Sequence, residues 1–110
     1  AMKACKEAGV GHMVVLSVAS AEKAGTIFGD QFRPIEDFAK ESGVSYTIIR
    51  LPMFMENVLG QMGSIKSDGK FYTPLASDAK YNCCSLADVG PAVAEIMTHP
   101  TYYTGKTLEL

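Results

Sequence analysis

The side chains able to do chemistry in this sequence are few and mostly isolated. Cys5, Cys83 and Cys84 are the only thiols, an odd count with two adjacent. Adjacent thiols bridge only through a strained ring, and zinc sites space paired thiols by two or more residues. Only His12 and His99 add nitrogens, so no metal site is expected. Reduced thiols suit a cytoplasmic compartment. Strand alternation would put Cys83 and Cys84 on opposite faces. No Ser or Asp stands where it would complete a triad with either histidine, and no catalytic residue is assigned. The ten glycines form no Gly-x-Gly-x-x-Gly, and Gly60-x-x-Gly63 precedes an irregular segment. What remains is a dense stretch, Arg50-Leu-Pro-Met-Phe-Met-Glu-Asn57, together with Ser17 and Ser20 behind an apolar run. Within that stretch Glu56 is in reach of Arg50, and Asn57 can hydrogen-bond inside the loop.

These residues need elements to hold them. Residues 2–8 are good helix formers, and Gly9 suits the position just past a helix end. His12 to Ser17 is short, apolar and β-branched, as in a strand buried on both faces of a parallel sheet. Residues 18–30 are small and polar and are expected as a loop. A helix follows, with Pro34 in its first turn, Ile35, Phe38 and Ala39 inward, and Gly43 as its stop. Val44 to Arg50 is a second buried strand, ended by Pro52. Phe54, Met55, Val58, Leu59 and Met62 recur at helical spacing over 53–62. Phe71 to Thr73 and Tyr81 to Cys83 are short extended candidates. Ser85 opens a last long helix with Asp88 in its first turn, and Pro91 should kink it or shift its start. Residues 106–110 alternate as a final strand. Strand, helix, strand in this order predicts an α/β fold with parallel, right-handed crossovers.

Length and charge narrow the function. The chain has 110 residues, 47% hydrophobic and 20% charged, with a net charge of −2. That is one globular core at most. The cations are scattered, which argues against nucleic acid as a partner. No apolar run reaches the ~20 residues of a membrane span. Ala1 before Met2 fits either a cleavage scar or the interior of a longer chain.

The segments "GVSYTIIRLPMFMEN", "GKFYTP", "SLADVGPAVAEIM" and "GKTLEL", in this order, resemble the C-terminal half of an NmrA-like protein. That family is a branch of the atypical short-chain dehydrogenases/reductases. The resemblance implies a Rossmann-like parallel sheet with flanking helices, binding NADP or NAD. It implies that residues 1–110 form the second half of the domain, lacking the Gly-rich first half that grips the pyrophosphate. It places Ser17, Val18, Ala19, Pro52, Met53 and Phe54 beside the nicotinamide. The superfamily's Tyr-x-x-x-Lys pair is expected to be lacking from the whole chain, with Phe28 and Phe32 standing in its place, so ordinary dehydrogenase catalysis is not expected. The expected role is dinucleotide sensing in the intact protein, with weak or absent binding by this chain. The alternatives are an NAD(P)H-dependent reductase of the quinone or isoflavone type, and an interaction module whose open sheet edge pairs two copies as a homo-oligomer.

Overall fold

The computed structural model describes residues 2–110; Ala1, and with it the question of a scar or a longer chain, lies outside the described residues. Helix α1 (Met2–Glu7) leads into strand β1 (Met13–Val18). Helix α2 (Ile27–Glu41) crosses to strand β2 (Tyr46–Leu51). Strand β3 (Met53–Phe54) follows, then a 3-10 helix (Met55–Gln61) and helix α3 (Met62–Asp68). Strand β4 (Cys83–Cys84) precedes helix α4 (Leu86–Thr98), the single turn α5 (Pro100–Tyr103) and strand β5 (Thr107–Glu109).

A three-stranded parallel sheet runs in the order β1-β2-β5, and a two-stranded parallel sheet joins β3 to β4. Both faces of the larger sheet are covered, as parallel strands require. On one face Val15, Ile48 and Ala39 of α2 pack together. On the other, Ile49 and Leu51 meet Cys84, Ile96 and the apolar stripe of α4. The outer edge of β1 has no strand partner among the described residues.

The local structure departs from the sequence expectation in several places. Helix α2 begins at Ile27, inside the expected loop, because the Thr26 side chain accepts the Gly29 N–H and caps it. Pro34 therefore lies in the helix interior, where it lacks one backbone donor without ending the helix. The face of α2 against the sheet is Ala39 and Glu36, while Ile35 and Phe38 are 41% and 52% exposed. Residues 53–62 are not one helix: Met53 and Phe54 are extended against Cys83 and Cys84, and a 3-10 helix then turns into α3. Helix α4 keeps the start set by Ser85 and runs through Pro91 as one element. Phe71 to Thr73, Tyr81 and Asn82 lie outside strands.

Candidate functional site at the strand ends

Parallel strands present their C-terminal ends to a shared crevice. Here Ala19 N–H donates to the Leu51 carbonyl at 2.9 Å, tying the ends of β1 and β2 together. A cavity of about 580 Å³ opens there. Its floor is Val18, Ala19, Leu51 and Pro52; Met53, Phe54 and Asn57 carry the wall onward from β3. Ser20, Lys23 and Phe28 close it from the loop after β1, and Lys80, Tyr81 and Asn82 from the segment entering β4.

Of the six residues expected at a cofactor, Val18, Ala19, Pro52, Met53 and Phe54 come together around this cavity. Ser17 does not line it. Side chains alternate along β1, and Ser17 is buried on the opposite face, donating to Glu36 Oε1 at 2.6 Å. Lys23, Lys80, Tyr81 and Asn82 were not legible as site residues, since they sit in segments without periodicity and meet only through tertiary packing.

An ion-pair network holds the loop after β1. Glu36 is 2% exposed and takes Arg50 Nε and Nη2 at 3.0 and 2.9 Å; Arg50 Nη1 also donates to Glu22 at 2.8 Å. Burial alone would raise the Glu36 carboxyl, but hydrogen bonds from Arg50 and Ser17 outweigh it and hold it below the usual range. The Glu36 hydrogen bond raises Arg50 in turn. Arg50 thus pairs with Glu36 and Glu22, not with Glu56. Glu22 lies beside Lys23, whose own carbonyl accepts from Thr26 Oγ1 at 2.9 Å. A Cβ on Gly29 would lie 2.1 Å from that carbonyl, so only glycine lets the loop pack this closely on α2.

Glu56 acts on the other wall. Its Oε1 accepts from Ser85 Oγ at 2.7 Å and from Leu86 N–H at 3.0 Å, bonds that keep its carboxyl below the usual range. This anchors the 3-10 helix, and with it Asn57, to the start of α4. Ser85 itself caps α4 through the Ala87 N–H, and Asp88 lies in the first turn.

Phe28 presents an apolar ring to the cavity where the resemblance places a proton-donating tyrosine. The Tyr-x-x-x-Lys spacing does occur elsewhere in the chain, at Tyr102 and Lys106, which corrects the expectation that the pair is lacking altogether. Helix α5 ends at Tyr103, so the two residues do not share a helix face. Instead the Lys106 ammonium sits 3.7 Å above the Tyr102 ring as a cation–π contact. Neither residue lines the cavity. No group of His, Cys, Asp and Glu suited to a metal occurs among the described residues.

The NmrA-like family model matches residues 2–110. The chain belongs to the NmrA-like family. An NAD(P)H azoreductase of Xenophilus azovorans is 28% identical over 98 residues, 88% of this chain and 34% of that protein. Prestalk A differentiation protein A of Dictyostelium discoideum is 31% identical over 109 residues, 96% of this chain and 33% of that protein. The crystal structure of a nucleoside-diphosphate-sugar epimerase from Staphylococcus aureus superposes with a TM-score of 0.85 at 23% identity. It covers 99% of this chain and 39% of its own, and it shows the Rossmann-like α/β fold. The chain spans about a third of the length of the curated relatives it matches. Among the described residues no helix is long and apolar enough to cross a membrane.

Proposed function

We propose that this NmrA-like chain forms the nicotinamide-side wall of an NAD(P)-binding site, in a protein that senses the dinucleotide rather than turning it over. The observation that carries this is the apolar cavity at the joined ends of β1 and β2, walled by Val18, Pro52, Met53 and Phe54. Its size falls in the range of small-molecule sites, and its walls suit a flat, weakly polar ring. Bound there, the nicotinamide would supply hydride chemistry. The chain would orient the ring and exclude water, with the Ala19 N–H already committed to Leu51. Phe28 cannot donate a proton, which favours sensing over carbonyl reduction. Residues 1–110 would be the second half of such a domain. The sequence has no Gly-rich turn for the pyrophosphate, so the chain alone should bind weakly.

The test is an amide-resolved NMR titration of the chain with nicotinamide mononucleotide and NADPH. Shifts centred on Val18, Ala19, Met53 and Phe54, with dissociation constants above about 1 mM, are expected. Shifts elsewhere, or submillimolar affinity, would refute it.

A second reading, an NAD(P)H-dependent reductase, is favoured by the azoreductase relative. Reduction of a quinone asks less of a protein acid than carbonyl reduction does. NADPH oxidation with a quinone, by a chain of the relatives' full length, would select it.

A further inference from the structure

The cavity carries a charge pattern that the nicotinamide ring does not use. The geometry points to a second ligand beside that ring: a flat aromatic anion, such as an aryl carboxylate or sulfonate. This inference rests on reading the cavity as the nicotinamide site and names the substrate or effector class that site accepts.

Two lysines line the cavity, Lys23 from the loop after β1 and Lys80 from the segment entering β4. No carboxylate lines it, in a chain whose net charge is −2. Neither ammonium has a carboxylate within 4 Å among the described residues. The adjacent Glu22, the one acid next to Lys23 in sequence, is engaged by Arg50. The network therefore removes a competing anion from Lys23 and leaves its charge available at the cavity. The walls also carry three aromatic side chains, Phe28, Phe54 and Tyr81, with Met53 among them. Rings and a thioether favour a planar partner. Two exposed cations without a carboxylate partner, beside an apolar floor, favour a negative group on that partner through an attraction that salt screens. A neutral ring would forgo the attraction of both ammonium groups, and a small inorganic anion would leave the aromatic walls empty.

The same lysines could instead serve the phosphate of a dinucleotide, and the experiment separates the two sources. The 110-residue chain is titrated by NMR with 2-naphthoate, its neutral isostere 2-naphthamide, and nicotinamide mononucleotide. Each titration is repeated with Lys23→Gln, Lys80→Gln and the double variant, with circular dichroism to confirm the fold. The wild-type chain should bind the naphthoate about tenfold tighter than the naphthamide. Either single variant should cut that preference to about threefold and the double variant should abolish it, with naphthamide affinity unchanged. Raising salt from ~50 to ~300 mM should also shrink the preference. Equal affinity for the two naphthyl probes in the wild type would overturn the inference. So would a preference that survives in the double variant, or lysine dependence confined to the mononucleotide. Because the mononucleotide reports on Val18 to Phe54 independently, the cofactor reading and the anion inference can fail separately.

Discussion

Replacing Glu36 by glutamine tests the network that shapes the cavity loop. The amide keeps the volume and one acceptor for Ser17, but it turns an N–H₂ toward the Arg50 guanidinium. Glu36 is 2% exposed and Arg50 14%, so the variant leaves a largely buried cation opposite a donor. Breaking one partner of a buried pair destabilises by about 3–5 kcal/mol. Arg50 retains Glu22, but that side chain is 59% exposed and screened, so we take the lower end, about 3 kcal/mol. With an unfolding entropy of about 2.1 cal/mol/K per residue, a chain of this length loses about 4 °C per kcal/mol. The expected fall in Tm is therefore about 12 °C at pH 7, read by circular dichroism. Glu22→Gln, which removes only the exposed arm, should lower Tm by less than about 4 °C. The Glu36 carboxyl is lowered in the folded state. Its contribution is thus present above the unfolded value and fades as pH falls through the folded one. The gap between wild type and Glu36→Gln should close in acid, below the ordinary carboxylate range. A shift under about 3 °C at pH 7, or equal shifts for both variants, would refute the reasoning.

Gly29→Ala should displace the loop bearing Glu22 and Lys23, weakening any cavity ligand severalfold while α2 itself stays helical by far-UV circular dichroism; an unchanged affinity would contradict the close packing. Ser85→Ala should lose about 1 kcal/mol, the usual loss of a helix cap, seen as a reduced midpoint in urea. Cys83 is exposed, whereas Cys84 is buried and its thiol is pushed up by that burial and by nearby Glu56. Iodoacetamide followed by mass mapping should therefore label Cys83 well before Cys84.

The sheet was legible because its signal is local. Met13 to Val18 and Tyr46 to Leu51 are short, mostly apolar runs, half of each β-branched, with a helix of crossover length between them, and no long-range partner is needed to see that. The inward face of α2 was not legible. Helical periodicity favours Ile35 and Phe38, but the sheet beneath α2 carries a buried serine and an arginine, so the facing position takes a carboxylate. Residues 53–62 misled for the opposite reason. Their apolar spacing fits a helix, yet Met53 and Phe54 are held extended by pairing with Cys83 and Cys84, thirty residues on. Five cavity residues followed from strand ends and family resemblance. Ser17 did not, because the alternation of β1 turns it to the far face. The two lysines carry no pattern of their own.

The Arg50 fork has a consequence for how this scaffold can change over generations. One arm stabilises the fold and the other restrains the loop that frames the ligand. A substitution that reshapes that loop for a new ligand loosens Glu22 and shifts load onto Glu36, so altered specificity and lost stability arrive together. Lineages that diversify this site are expected to do so from the Lys80–Asn82 side, where the wall can drift without touching the buried pair.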